Sequence, residues 1–196
     1  MSEEERRRWD ERYATGEYRA RTSVTPFLER WVPFISRGRA LVVACGPGRN
    51  ALYLAEHGFD VVGVDVSEVA IGQARTAADD RGLDADFLVG DLDEFTLEPG
   101  AFDLITVIRY RNRDLWPRLV DALALNGWIL AEHHMKTTAD VAGPTSPEFR
   151  LDPGELLQAF AGLRIVHYSE SIEQADDVAR TYAIERGVAC NGEPGW

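Results

Sequence analysis

The sequence predicts an α/β protein with a doubly wound, mostly parallel seven-stranded sheet that ends in an antiparallel hairpin. Three observations favour this fold class. Short apolar segments alternate with segments of helical period through the middle of the chain. A glycine turn follows the first apolar segment, at residues 44–48. The last two strand-like segments lie too close together for a helical crossover, so we expect them to pair antiparallel.

Two helices are predicted before the first strand. Residues 2–14 place Glu3 four residues before Arg7, a spacing that stabilises an exposed helix. Thr25 and Pro26 suit the N-cap and the first position of a second helix, which we expect to reach about Ile35.

The predicted strands are apolar and rich in β-branched residues, as buried parallel strands are. Turn and cap residues separate them from the helices, with Ser67 and Asp114 as N-caps. The strands are Ala40–Ala44, Asp60–Asp65, Asp86–Val89, Phe102–Ile108, Trp128–Glu132, Leu163–Ser169 and Ala179–Glu185. The intervening helices are Gly48–His57, Ser67–Arg81, Leu115–Leu125 and Asp152–Phe160.

The length of 196 residues is consistent with one domain. We expect residues 1–37 to form a helical cap and residues 38–188 to form the α/β core. Residues 135–151 contain Gly143, Pro144 and Pro147 and show no clear period, which predicts a loop that serves as a lid.

Composition narrows the functional classes. The net charge of −12 disfavours nucleic-acid partners, which require clustered basic residues, and favours a small-molecule substrate. No apolar run reaches the roughly 20 residues of a membrane span, and no secretory leader is visible, so we expect a cytoplasmic protein without membrane partners. The two cysteines predict neither a disulfide framework nor a metal site. A monomer and a homodimer are both compatible with the sequence.

The glycine turn and the acid that follows it predict a cofactor that contains a nucleoside. Gly46 and Gly48 let the backbone approach a ligand closely at a helix N-terminus. Asp65 ends the second strand, about 20 residues on, where a carboxylate can accept both ribose hydroxyls. The pattern from Gly46 to Ala51 also matches G-x-G-x-x-A, so a dinucleotide stays open at this point.

Longer motifs bring a family resemblance. The segments GRALVVACGPGRNALYLAEHGFDVVGVDVS, GDLDEF, FDLITVIRY and LALNGWILAE occur in this order, and together the chain resembles class I S-adenosylmethionine-dependent methyltransferases. With WDERY, NRDLWPRL and LDPGELLQAFAGL, it looks more narrowly like the small bacterial methyltransferases of the tellurite-resistance type. The resemblance extends from Trp9 to about Glu185 and implies a Rossmann-like methyltransferase fold.

The resemblance implies S-adenosylmethionine as cofactor and a set of residues that bind it. The turn would pass beneath the methionine part, with two residues of the following helix beside its carboxylate. Other residues would bind the ribose, the adenine and the methionine ammonium. The set is Ala44, Cys45, Gly46, Gly48, Arg49, Asn50, Asp65, Val66, Asp91, Leu92 and Ile108. Tyr13, Tyr18 and Arg21 fall in the region that covers the cofactor in this family.

One position departs from the family pattern. Val42 stands where the family usually has an acidic residue, two places before the turn. The departure leaves a catalytically degenerate binding module as an alternative to an active methyltransferase. An apolar first strand with Asp65 after the second also keeps an NAD-dependent oxidoreductase as a less favoured alternative.

Because the sulfonium already activates the methyl group, methyl transfer requires a general base only when the acceptor arrives protonated. The candidates for catalytic and acceptor-binding roles follow the fourth and fifth strands: Arg109, Tyr110, His133 and His134. Because adjacent residues on an extended chain point to opposite sides, we expect at most one histidine to face the acceptor.

Overall fold

The computed structural model of the chain describes residues 3–16, 22–174 and 181–195. Its strands are β1 (Arg39–Val43), β2 (Asp60–Asp65), β3 (Asp86–Val89), β4 (Phe102–Ile108), β5 (Leu123–His134), β6 (Arg164–Gln174) and β7 (Thr181–Cys190). The helices are α1 (Glu3–Thr15), α2 (Pro26–Trp31), α3 (Arg49–Glu56), α4 (Glu68–Arg81), α5 (Leu115–Asp121) and α6 (Glu155–Ala159). Single 3₁₀ turns cover Val32–Phe34 and Pro147–Phe149.

The seven strands form one sheet in the order β3-β2-β1-β4-β5-β7-β6. The first five strands pair in parallel, whereas β7 runs antiparallel to both β5 and β6. This order confirms the predicted fold class. The order reverses between β1 and β4, and open α/β sheets bind their ligands at the carboxyl ends of such a pair.

Two apolar layers cover the two faces of the sheet. On one face, α2, α3 and α4 pack against side chains that include Val42, Leu104 and Leu130. On the other face, α5 and α6 pack against the alternate residues of the strands, such as Leu41, Ile105 and Ile129. The alternation explains why β1 and β4 are largely apolar, since both of their faces are buried.

The prediction was wrong about the boundary between α5 and β5. The helix ends at Asp121 rather than at Leu125, and β5 begins at Leu123, opposite Phe102. The Asn191 side chain donates to the carbonyls of Leu123 and Ala124, and this long-range contact holds the segment beside β4. Sequence periodicity carries no signal for such a contact.

Two predicted caps also differ from the structure. Asp114 has helical backbone angles and its side chain makes no cap hydrogen bond; its N–H instead donates to Asn112 Oδ1 at 3.1 Å. The Thr25 side chain does not cap α2 either. Ser67, by contrast, caps α4 as predicted, because its hydroxyl accepts from the N–H of Ala70 at 3.1 Å.

The terminal hairpin is longer than predicted. Strand β6 continues to Gln174 and β7 to Cys190, whereas α6 is shorter than predicted because Gly154 takes a left-handed conformation just before it. The predicted start of the last strand at Ala179 lies outside the described residues. Among the described helices, none is long and apolar enough to cross a membrane.

Candidate cofactor and acceptor site

The turn between β1 and α3 requires glycine at two positions. Gly46 and Gly48 have φ angles of +55° and +86°. A Cβ atom on Gly48 would lie 3.0 Å from the Cβ of Ala74 and 3.2 Å from the ring of Phe87. Ala44 also lies in the left-handed region, at a φ of 48°. A non-glycine residue there costs about 1 kcal/mol. The turn is thus locally strained at the place where a ligand would contact the backbone.

Asp65 links this turn to the end of β2. Its Oδ2 accepts from the N–H of Gly46 at 2.8 Å, and its Oδ1 accepts from the N–H of Ser67 at 3.0 Å. The side chain is buried, and this burial raises the pKa of the Asp65 carboxyl, against the lowering effect of the backbone N–H groups. The backbone N–H of Val66 is a third group that opposes the rise.

The loop after β3 carries the second predicted acid. Asp91 Oδ1 accepts from the N–H of Asp93 at 3.0 Å, which fixes the carboxylate in a local turn. The guanidinium of Arg118 in α5 donates to the carbonyls of Leu92, Asp93 and Phe95. Sequence reasoning missed this role of Arg118, because its only signal is a basic residue on a short helix. The side chain of Leu92 is buried, as is that of Val66.

The residues after β4 diverge to two sides of the site. Burial raises the pKa of the Tyr110 phenol, and the nearby carboxylates of Asp91 and Asp65 add to the rise. The Tyr110 side chain packs against the apolar layer that includes Leu92. Arg109 has a left-handed backbone, with a φ of 61°, and its N–H donates to the carbonyl of Glu132 at 2.8 Å. Its side chain reaches β5 instead.

A network of ion pairs runs across the sheet from Arg109, with the buried Glu132 at its centre. Glu132 accepts from Arg109 through Oε1 at 3.1 Å and from Arg186 through Oε2 at 2.7 Å. Arg186 in turn donates to Glu173 on β6. Glu132 is only 3% exposed, so both guanidinium groups are needed to stabilise its charge. Sequence reasoning missed this network, although a glutamate inside an apolar strand was a signal for it.

The two predicted histidines point to opposite faces of the sheet, as expected. His133 is 5% exposed and pairs in register with Glu185, and its Nδ1–H donates to the carbonyl of His134 at 3.0 Å. Burial lowers the pKa of His133 to about 4. His134 is half-buried and lies 2.7–2.9 Å from Nη1 of Arg109. His134 thus adjoins Arg109 at the carboxyl edge of the sheet, and His133 does not.

Arg49 and Asn50 bind the chain segment that precedes α2. Nη1 of Arg49 donates to the carbonyl of Ser23 at 3.0 Å, and Oδ1 of Asn50 accepts from the N–H of Thr25 at 3.0 Å. The N–H groups in the first turn of an α-helix have no partner within the helix. Cys45 is buried, and burial raises the pKa of its thiol well above the usual value.

The first helix covers the glycine turn. The hydroxyl of Tyr13 lies 3.0 Å from the position that a Cβ of Gly46 would occupy. Asp10 Oδ1 accepts from the hydroxyl of Ser67 at 2.6 Å and from the N–H of Val69 at 3.2 Å, which attaches α1 to the start of α4. Tyr18 and Arg21, which were also predicted for this cover, lie outside the described residues.

The two ends of the predicted lid segment, residues 135–151, are hydrogen-bonded to each other. Met135 bridges to Leu151, and the Arg150 guanidinium donates to the carbonyls of Met135, Ala142 and Pro144 at 2.9–3.1 Å. The loop therefore has internal support above His134.

Across residues 3–16, 22–174 and 181–195, no group of three or more histidine, cysteine, aspartate or glutamate side chains could hold a metal ion.

Comparisons with known proteins agree with this geometry. Residues 40–125 match the family described as "Methyltransferase domain". The putative methyltransferase YqeM of Bacillus subtilis is 35% identical over 85 residues, which are 42% of this chain and 32% of that protein. A Talaromyces variabilis protein named as an S-adenosyl-L-methionine-dependent Diels-Alderase is 40% identical over 62 residues, or 32% of this chain and 21% of that protein. The matches thus span about a third or less of these relatives' length.

Solved structures extend the likeness to nearly the whole chain. The crystal structure of TehB from Haemophilus influenzae superposes with a TM-score of 0.76 at 21% identity, covering 92% of this chain and 66% of that one. This likeness concerns the fold. The strand order also differs from the 3-2-1-4-5-6 order of dinucleotide-binding sheets by the insertion of antiparallel β7.

The buried Asp65, the strained glycine turn and the loop of Asp91 lie together at the carboxyl ends of the neighbouring strands β2, β1 and β3. Nothing in the comparisons favours the oxidoreductase alternative. Residues 40–125 thus match a methyltransferase domain, and the chain as a whole has the Rossmann-like fold that TehB shares.

Proposed function

We propose that this protein transfers the methyl group of S-adenosylmethionine to a small-molecule acceptor held beside Arg109 and His134. The observation that carries the proposal is the divergence after β4. The side chain of Tyr110 packs on the apolar layer that includes Leu92, in the loop of Asp91, whereas Arg109 contacts His134 at the end of β5. His134 also adjoins the loop of residues 135–151, because a Cβ atom on Gly143 would lie 2.9 Å from its ring.

The residues of the cofactor side have distinct roles in this proposal. Asp65 binds the ribose hydroxyls through its carboxylate. Asp91 accepts from the adenine amine while the N–H of Leu92 donates to the ring. Val66 packs on the adenine. The floor beneath the methionine part of the cofactor is formed by Ala44, Cys45, Gly46 and Gly48. The N-terminus of α3, at Arg49 and Asn50, binds the methionine carboxylate. The carbonyl of Ile108 accepts from the methionine ammonium.

When bound, S-adenosylmethionine supplies a methyl group that its sulfonium already activates. The protein's task is therefore to hold an acceptor in line and to exclude water. Arg109, fixed by Glu132, orients the acceptor, and His134 accepts a proton where the acceptor arrives protonated. His133 serves a structural role, because it is buried and hydrogen-bonded to the backbone.

The test is production of S-adenosylhomocysteine by the purified chain, measured by mass spectrometry with a panel of small phenols, thiols, amines and carboxylates. We expect one acceptor class to raise production above the rate with cofactor alone. An Asp65→Asn variant is the matched control, since it keeps the shape of the site but removes its charge. Absence of product with every class, despite bound cofactor, would contradict the proposal.

A second candidate function is a module that binds the cofactor without transferring its methyl group. Val42 favours it, because the family's acid is missing there, and one relative is named as a Diels-Alderase rather than as a methyltransferase. Tight binding of S-adenosylmethionine together with an unreactive acceptor panel would support this candidate.

We further propose a cytoplasmic protein without nucleic-acid or membrane partners, which acts as a monomer or a homodimer. The net charge of −12 supports the part that concerns nucleic acids, because an acidic surface repels phosphates. Retention on heparin at physiological salt would contradict it. Sedimentation equilibrium distinguishes the two oligomeric states.

A further inference from the structure

Strand β6 has one edge without a neighbouring strand. It comes last in the sheet order, and β7 is the only strand that pairs with it in the described part of the chain. None of the described backbone groups outside β7 hydrogen-bonds to β6. The strand is 11 residues long, whereas native proteins usually keep exposed edge strands short. Its outer N–H and C=O groups therefore form a template for pairing with another strand.

A β-bulge at Val166 determines which side chains of β6 share a face. The pairing between β6 and β7 shifts by one residue there, so Val166 is an extra residue. Ile165 and Ile172 are an odd number of residues apart and would point to opposite faces of a regular strand. Their partners on β7, Ala189 and Ala183, are an even number apart, so both isoleucines lie on one face.

The two ends of β6 carry complementary side chains. Ile165 near the start is 38% exposed and Ile172 near the end is 53% exposed, which is unusual for large apolar residues on one strand face. On the other face, Arg164 begins the strand and Glu173 lies next to its end. Arg164 contacts Glu193 in an exposed ion pair, and such pairs contribute little to stability.

We propose that β6 pairs antiparallel with β6 of a second copy of this chain, around a two-fold axis normal to the sheet at Ser169. In this register Ser169 lies opposite Ser169 of the second copy. Counting outwards past the bulge places Ile165 opposite Ile172 of the second copy, and Arg164 opposite Glu173 of the second copy. By symmetry each dimer contains two apolar pairs on one face and two ion pairs on the other.

The bulge makes this register self-complementary. Residues that lie directly opposite each other in paired strands point to the same face, and the two-fold axis preserves the faces. In a β6 without the bulge, the same axis would place Ile165 opposite Glu173 and Arg164 opposite Gln174. Both the apolar match and the ion pair would then be lost. The bulge therefore favours a second copy of this chain as the partner of the exposed edge.

The charges along β6 also favour antiparallel pairing with a copy of itself. Arg164 begins the strand, and the two carboxylates, Glu170 and Glu173, both lie in its second half. Antiparallel pairing brings the basic end of each strand beside the acidic end of the other. Glu170 and its own copy lie only on the diagonal, about 7–8 Å apart, so like charges are not directly opposed.

Sedimentation equilibrium of wild type, Ile172→Lys and Leu88→Lys tests the proposal. Leu88 is the matched control, because it is a 39% exposed apolar residue on β3, at the other edge of the sheet. We expect a wild-type dimer that Leu88→Lys leaves unchanged. Ile172→Lys should weaken dimerisation at least about tenfold, because each dimer contains the change twice and loses the burial of both apolar pairs. Urea unfolding verifies that both variants are folded.

Cysteine cross-linking tests the register. Ser169→Cys would place a thiol opposite its own copy at a Cα–Cα distance of about 4.5–5.5 Å, which a disulfide can span. Ser171→Cys is the matched control on the same face, since its copy would lie about 13 Å away along the strand. We expect mild oxidation to give a covalent dimer of Ser169→Cys alone. The native Cys45 and Cys190 are buried.

A wild-type chain that stays monomeric up to about 100 μM would overturn the proposal and leave the edge of β6 to a different polypeptide. A dimer that Ile172→Lys leaves intact would overturn it as well, because its interface would lie elsewhere. Equal cross-linking of Ser169→Cys and Ser171→Cys would refute the register. None of these measurements needs a cofactor or a methyl acceptor, so failure of this proposal is distinguishable from failure of the proposed function.

Discussion

Replacement of Glu185 by glutamine should change how the stability of the protein depends on pH. Glu185 lies on β7, is 0% exposed, and accepts at Oε1 from the N–H of Leu156 at 2.8 Å and from the hydroxyl of Tyr168 at 3.0 Å. Its Oε2 is buried without a partner among the described residues. Burial raises the pKa of Glu185 from 4.5 to about 7, and the backbone N–H of Leu156 only partly opposes this rise.

The raised pKa of Glu185 determines whether the free energy of unfolding rises or falls with pH. The folded protein holds the proton of Glu185 more tightly than the unfolded chain does, so its stabilising contribution is complete below pH 4.5. It is lost as pH rises to about 7 and beyond. The difference between 4.5 and about 7 corresponds to about 3 kcal/mol in the free energy of unfolding. A glutamine cannot ionise and avoids this loss.

Urea unfolding at pH 4.5, 6 and 8 measures the effect. We expect the stability of Glu185→Gln relative to wild type to rise by about 3 kcal/mol between the lowest and the highest pH. The exposed Glu94 provides a matched control, since Glu94→Gln should show no such trend. His133, whose lowered pKa acts with the opposite sign, is present in wild type and in both variants. A difference between Glu185→Gln and wild type that stays constant with pH would refute the reasoning.

Three further predictions concern the site. Asp65→Ala should weaken calorimetric binding of S-adenosylmethionine by about 2–3 kcal/mol, the range for lost hydrogen bonds to a charged group, and unchanged affinity would remove Asp65 from the site. Gly48→Ala should lower the free energy of unfolding by about 1–3 kcal/mol more than Gly58→Ala, because both glycines have positive φ but only Gly48 lacks room for a Cβ. Equal losses in urea unfolding would contradict this packing argument. With an acceptor identified, His134→Gln should reduce kcat at least about tenfold while His133→Gln retains kcat and lowers the melting temperature; the reverse pattern would exchange their roles.

Sequence reasoning predicted those parts of the fold that depend on local pattern. The strands β2, β3 and β4 begin and end where predicted, because their apolar runs are bounded by turn and cap residues such as Ser67. The boundary of α5 and β5 was wrong because Asn191, far along the chain, holds residues 123–124 in place. No periodicity within the segment could have indicated that contact.

The candidate site divides in a similar way. The glycine turn and the acid at the end of β2 follow from spacing. In the structure, the N–H of Gly46 donates to Oδ2 of Asp65 at 2.8 Å. The side-chain networks do not follow from spacing. Glu132 meets Arg109 and Arg186 only because β4, β5 and β7 are neighbours in the sheet. Which residues point to the acceptor is therefore a property of the folded sheet.

The most direct test of the central claim is a calorimetric titration of the wild-type chain with S-adenosylmethionine, S-adenosylhomocysteine and NAD. The central claim is that the turn of Gly46 and Gly48 and the carboxylate of Asp65 bind S-adenosylmethionine. It predicts one site per chain for S-adenosylmethionine and S-adenosylhomocysteine, with each ligand displacing the other, and no heat of binding for NAD. Binding of NAD alone would contradict the claim.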